Sequence, residues 1–252
     1  MLFNEKAESN AMKTLGMIGG VGPESTIDYY KNIIAFYRER KRDGSYPQFV
    51  INSINLTKGI DFMNANDLAG MAGFLLEEIA KLPLAGADFG LIAANTPHIV
   101  FDDIAPKSPI PLISIVEATC AHAKARKLKR LALFGTRYTM QADFYPKVFS
   151  REGIDLIVPD PKDQEYIHNK YFDELVPGNF LPETRAELLA IIVRLKSKID
   201  PPSQGYGEAG IDGVILAGTE LPLILRGESH NGIALLDTGK IHCQAAVNEM
   251  LS

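Results

Sequence analysis

Apolar residues along this chain gather in short dense runs, separated by longer stretches where they recur every three or four positions. The two periods predict different elements. The dense runs predict strands at Thr14-Leu15-Gly16-Met17-Ile18, Phe49 to Ile54, Phe89 to Ala93, Leu112 to Ile115, Arg130 to Phe134, Leu156 to Val158, Gly213 to Leu216 and Ile233 to Leu236. Helical periodicity fills most of the gaps. Such alternation marks an α/β fold built on mainly parallel sheet. The first strand runs into the tight loop Gly19-Gly20-Val21-Gly22. Pro23 then stands where a first helical turn tolerates a missing amide hydrogen, so a helix is expected to open there and run to about Arg42. Asp200 to Gly207 is rich in chain breakers and is expected to be a loop.

The length of 252 residues allows one large domain or two of ordinary size. With 46% hydrophobic and 23% charged residues, the composition excludes a disordered or fibrous chain. A formal net charge of -5 leaves no basic footprint for a nucleic-acid partner, so a small molecule is the expected one. Cys120 and Cys243 are too few for a disulfide framework and lack metal-ligand spacing, so no metal is expected and the protein is read as cytoplasmic. No apolar run reaches the ~18 residues of a membrane span, which argues against a membrane partner. Ser9-Asn10-Ala11 before Met12 reads as a cloning remnant, and residues 1–11 stay outside the fold expectation.

Gly20-Val21-Gly22-Pro23-Glu24-Ser25 invites a dinucleotide reading, since it leaves a strand and opens a helix. That fingerprint also needs an acidic residue at the end of the second strand, and Asn52 and Asn55 stand there instead. A strand-to-helix turn is the better account.

The chain repeats itself at a spacing of 124 residues. Ala85-Gly86-Ala87-Asp88-Phe89-Gly90-Leu91-Ile92-Ala93-Ala94-Asn95 aligns without a gap on Ala209-Gly210-Ile211-Asp212-Gly213-Val214-Ile215-Leu216-Ala217-Gly218-Thr219. Each copy reads as a helix end, a turn, a buried strand and a polar exit, and open α/β sheets bind ligands at such exits. Two similar halves facing one ligand suit a pseudo-symmetric reaction. Racemisation is one, because it removes a proton from one face of a carbon and returns one to the other.

These segments carry a family resemblance. The two exits, the opening Gly16-Met17-Ile18-Gly19-Gly20 with Glu24-Ser25-Thr26, the central Phe134-Gly135-Thr136-Arg137-Tyr138-Thr139-Met140 and the closing Asp237-Thr238 with Ile241-His242 resemble the cofactor-independent aspartate/glutamate racemases. Ile157-Val158-Pro159-Asp160, Ile167-His168 and Asp173-Glu174-Leu175 are similar to that family as well. The resemblance implies two pseudo-symmetric, parallel-sheet α/β halves of flavodoxin-like type with the site in the cleft between them. It places 13–116 with 218–252 in one half and 117–217 in the other. It further implies a homodimer, no cofactor and no metal, and an acidic or related amino acid as substrate.

The same resemblance assigns the two catalytic cysteines of the family to positions held here by Ala94 and Gly218, neither of which has a proton to exchange. Glycine at 218 can also hold a backbone conformation that a cysteine cannot adopt. His98 and Glu220 stand beside the two exits as candidate substitutes, while His98 also reads as a helix-start residue bonded to the backbone. Cys120 and Cys243 read as buried structural thiols. Ser25, Thr26, Asn95, Thr96, Thr136 and Thr219 are expected to bind the substrate's amino-acid head. Asn179 and Phe180 stand where relatives often carry lysine, leaving Arg185, Lys58 and Arg137 as possible partners for a side-chain carboxylate. Three functional classes fit: an amino-acid racemase or epimerase using other bases, a non-catalytic carboxylate- or amino-acid-binding relative, and an isomerase or decarboxylase of dicarboxylates.

Overall fold

The computed structural model describes residues 12–197 and 210–252. The expected loop at Asp200 to Gly207 and the first place of the second repeat copy, Ala209, lie outside the described residues. The described strands are β1 (Leu15–Gly19), β2 (Phe49–Ser53), β3 (Phe89–Ile92), β4 (Leu112–Ile113), β5 (Arg130–Gly135), β6 (Asp155–Ile157), β7 (Gly213–Ala217), β8 (Ser229–His230) and β9 (Ile233–Asp237). They form two sheets. The first has the order β2-β1-β3-β4 and is wholly parallel; the second has the order β6-β5-β7-β9-β8, with only β8 antiparallel. Counted from its own first strand, each half therefore repeats the order 2-1-3-4, and β8 is an added edge. The expectation of two pseudo-symmetric, parallel-sheet halves holds.

Burial explains why these runs become strands. Every residue of β1, β3 and β7 is buried, as befits central strands covered by helices on both faces. In the first half, Leu15, Met17 and Leu91 face the helix Pro23–Lys41 and the final helix Thr238–Met250, through Tyr29, Ile33, Val247 and Met250. On the other face, Ile18 and Ile92 pack with Met71, Leu75 and Ile79 of the helix Leu68–Ile79. The second half has the same two layers. Phe134 and Leu216 meet Leu188 and Ile192, while Leu131, Leu133 and Ile215 meet Cys120 and Phe149. Each such side chain contributes roughly 1.5–3 kcal/mol on full burial.

The repeated aspartates do the same job in both halves. Asp88 accepts from the Thr14 amide at 2.7 Å and tethers the start of β3 to that of β1. Asp212 accepts from the Lys129 and Arg130 amides at 2.7 and 2.9 Å and tethers β7 to β5. These bonds help set the parallel register, Leu15 opposite Phe89 and Leu131 opposite Gly213.

The assignment of 218–252 to the first half needs correction at the level of sheets. β8 and β9 pair within the second sheet, because β9 extends the parallel ladder from β7. The final helix alone returns, packing its Cys243, Ala246 and Val247 against the first half. β8 was not anticipated. It forms a hairpin with β9 across Asn231 and Gly232, both at positive φ (49° and 77°), the two-residue turn that an Asn-Gly pair favours. Both cysteines are buried and free, and burial pushes the Cys120 thiol up to about 11.

Candidate functional site

Both sheets change direction of winding between their first and third strands, and ligands bind at such switch points beyond the carboxyl ends. Here the switch points are β1/β3 and β5/β7, whose exits are Gly19 to Gly22, Ala93 to Thr96, Thr136 to Tyr138 and Gly218 to Glu220. A cavity of about 350 Å³ lies among them, lined by both Ala94 and Gly218. Asn95, Thr96 and Thr136 line it too.

Two of its polar lining residues, Thr96 and Thr136, belong to a triangle of hydroxyls that the buried Thr139 completes from behind. Thr96 from the first half lies 3.1 Å from Thr136 and 3.2 Å from Thr139 of the second, and the latter two lie 3.2 Å apart. Each hydroxyl has one hydrogen and two lone pairs, so Thr96 and Thr136 keep the capacity to turn toward a bound carboxylate while Thr139 accepts or donates behind them. Asn95 is less free. It donates to Thr238 at 3.1 Å and accepts from Tyr145 at 2.6 Å, and Thr238 donates in turn to the Leu216 carbonyl at 2.9 Å. This chain of bonds fastens the first exit to the second half. Above the cavity, Tyr138 donates to Asn64 at 2.8 Å and spans the halves again.

The remaining expected residues are not among those that line the cavity. Ser25 donates to the Ala93 carbonyl at 3.1 Å, holding the helix start against the first exit. Thr26 accepts from the Gly20 amide at 2.8 Å and donates to the Gly22 carbonyl at 3.1 Å, closing the glycine loop. His98 is buried with both ring nitrogens engaged. Its Nε2 accepts from the Ile115 amide at 3.2 Å, which leaves Nδ1 to donate to the Ala94 carbonyl at 2.9 Å. Burial, reinforced by nearby His242, lowers its pKa to about 3. A neutral imidazole with both nitrogens occupied holds the Ala94 backbone and has no free site for a substrate proton.

Glu220 is only 1% exposed, and its carboxylate accepts from the Tyr171 hydroxyl and, at 3.0 Å, from Thr219. Burial raises its pKa, and those two bonds oppose the rise. Tyr171 itself lines the cavity. It was not singled out from the sequence, because its role depends on a partner 49 residues away. It opens a π-helical turn, Tyr171–Leu175, at the end of the helix Pro161–Lys170, a distortion that recurs at functional sites.

The far wall is apolar, made by Leu56, Ile60, Met63 and Met71 from the first half with Phe172 and Val176 from the second. Arg137 and Asp173 also line it, as does His168, which accepts from the Arg137 amide at 3.1 Å. Of the three basic residues considered above, Arg137 is the one that lines the cavity; Lys58 lies over Phe74 instead.

The fold that builds this site is shared by solved structures. An aspartate racemase homologue from Pyrococcus horikoshii OT3 is 33% identical, with a TM-score of 0.77 over 96% of this chain and all 100% of that one. A candidate Asp/Glu racemase from Yersinia pestis is 29% identical, with a TM-score of 0.83 over 96% and 100%. Over 165 residues the chain is 26% identical to the broad specificity amino-acid racemase RacX of Bacillus subtilis (strain 168), covering 64% of this chain and 67% of that protein. The family model for Asp/Glu/Hydantoin racemase matches residues 18–246, and the chain belongs to that family. Among the described residues, no helix is long and apolar enough to cross a membrane.

Proposed function

We propose that the protein is a cofactor-independent racemase or epimerase that moves the α-proton of an amino acid held in this cavity. The observation that carries the reading is that Ala94 and Gly218, the positions the family resemblance gives to its two acid/base groups, line one cavity from different halves. The hydroxyls of Thr96 and Thr136 supply donors for the carboxylate, whose negative charge grows as the α-carbon becomes a carbanion, and Thr139 orients both. Arg137 supports an acidic side chain, and the apolar wall supports uncharged ones. The likeness to a broad specificity racemase agrees with substrates beyond dicarboxylates. A cytoplasmic homodimer accompanies this reading. Two free buried thiols fit a reducing compartment, and exposed Ile27, Tyr30 and Ile51 offer apolar surface for a second copy.

The test is incubation with each enantiomer of aspartate, glutamate, methionine and phenylalanine in deuterated water, following the α-proton by NMR and the handedness by chiral chromatography. Loss of the α-proton from at least one of them is expected. Binding without exchange from any would mean a non-catalytic amino-acid-binding protein.

A further inference from the structure

Gly218 is not in the left-handed backbone region, so conformation does not explain the glycine. Space does. A Cβ at this position would lie 2.5 Å from Tyr171 Cε2, closer than real Cβ atoms come, and a tight 3.2 Å from its Cδ2 and Cζ. The tyrosine ring thus occupies the volume into which a side chain at 218 would project, and it does so on the wall of the cavity. Its hydroxyl donates to Glu220, which is also bonded by Thr219. The opposite loop closes down on that carboxylate: a Cβ on Gly22, whose φ is 122°, would lie 2.5 Å from Glu220 Oε1.

We propose that Tyr171 and Glu220 form the proton-transfer unit on the Gly218 side of the cavity, Tyr171 as the catalytic group and Glu220 as the residue that positions it and takes up its proton. The proposal rests on the reading of the protein as an α-proton enzyme. In the forward step the Cα–H bond breaks and the α-carbon keeps the electron pair. The proton forms a bond to the phenol oxygen while the phenol's own proton passes along the existing hydrogen bond to Glu220 Oε2. While the carbanion lasts, the phenol's new proton exchanges with water in the cavity; in the return step that proton passes to carbon from the same face, as the Glu220 proton passes back to the phenol oxygen. Burial favours the neutral acid on Glu220, which helps the carboxylate receive that proton. Ala94 on the other wall presents only a methyl group, so the unit is one-sided. One enantiomer is then expected to exchange its α-proton faster than it inverts.

The experiment compares the unmodified full-length chain with Tyr171→Phe and Glu220→Gln in the exchange assay, alongside calorimetric affinities for the same amino acids. Tyr171→Phe keeps the ring over Gly218 and should lower exchange by about 10²–10⁴-fold, the usual worth of a positioned acid/base. Affinity should move by less than about threefold, well under the tenfold of 1.4 kcal/mol. Glu220→Gln keeps an oxygen to accept from Tyr171 and should lower exchange at least about tenfold, so it decides the matter if Tyr171→Phe does not fold. A purely structural pair would lower the unfolding midpoint without changing exchange per folded molecule. That result, or exchange always accompanied by inversion for both enantiomers, would overturn the relay while leaving the proposed activity standing. Absence of exchange by the unmodified protein from every amino acid tried would overturn the activity, and the relay with it.

Discussion

The two exits that face each other across the cavity come from copies of one structural unit, yet they hold their polar groups in opposite ways. At the first, His98 is neutral, with both nitrogens spent on backbone partners, and the wall it supports ends in the methyl of Ala94. At the second, Glu220 meets a hydroxyl on each of two side chains, and one of them, Tyr171, reaches the cavity. The backbone ties that make the fold symmetric survive in both copies, whereas the groups proposed to move a proton gather at one. Architecture and chemistry can therefore diverge within a single repeat, because the register depends on Asp88 and Asp212 at the entrance of each strand and the reaction depends on its exit.

Acid should separate the two exits most strongly. His98 titrates at about 3 in the folded chain, and an unfolded histidine titrates near 6.5, so the unfolded state binds more protons between those values. Stability from this residue is fully present above about pH 6.5 and is lost as pH falls toward 3, by about 1.4 kcal/mol per unit and on the order of 5 kcal/mol in all. His242, lowered to about 4 by burial, adds to the loss in the same direction. Glu220 has the opposite sign, since its raised pKa favours the folded state on acidification. Urea midpoints taken from pH 7 to 4.5 should drop steeply, and His98→Asn should flatten the drop. A flat profile in the unmodified protein would show that His98 does not stay neutral in the fold.

A thiol at Gly218 should be the next largest effect. Cysteine there must displace the Tyr171 ring, so Gly218→Cys is expected to cost about 1–3 kcal/mol of stability and to lower α-proton exchange by about 10²-fold. If exchange rises instead, the tyrosine is a spectator. The partner change, Ala94→Cys, lengthens a side chain on the cavity lining and supplies an acid to the bare wall. It should leave exchange near its starting rate and raise inversion by about tenfold or more, measured by chiral chromatography. Unchanged inversion would mean that the first wall does not face the α-carbon.

Much of this was legible in the residue order. Strand ends fall within two residues of the expected ones at most positions, because fully buried parallel strands are continuous apolar runs such as Gly213-Val214-Ile215-Leu216. The repeat located both exits, since its matched aspartates are the tethers at the strand entrances and Ala93 and Ala217 are buried at the strand ends. β8 was overlooked although Asn231-Gly232 carries a hairpin signal; two polar residues are too few to show a strand period. At the site, the residue types were visible but their partners were not. Ser25 and Thr26 look like ligand donors in sequence and are used by Ala93, Gly20 and Gly22. Tyr171 sits in an unremarkable helical pattern, and only the packing of that helix over Gly218 gives it a role.

The smallest expected difference lies between the two aspartate tethers, and it tests whether the halves are symmetric in energy as well as in shape. Asp88 receives one strand-start amide, from Thr14, and Asp212 receives two, from Lys129 and Arg130. Both carboxylates are exposed, so water competes for each bond and the net worth of one is about 1 kcal/mol. Asp88→Ala should therefore lower stability by about 1 kcal/mol and Asp212→Ala by about 2 kcal/mol. The gap should persist at high salt, since amide hydrogen bonds rather than ion pairs make it. Urea unfolding at pH 7 resolves a difference of this size. Equal losses would mean that one of the Asp212 bonds contributes nothing, and a larger loss from Asp88→Ala would place the greater strain on the first sheet, where β4 pairs over only two residues and the edge depends more on how firmly β3 is held to β1.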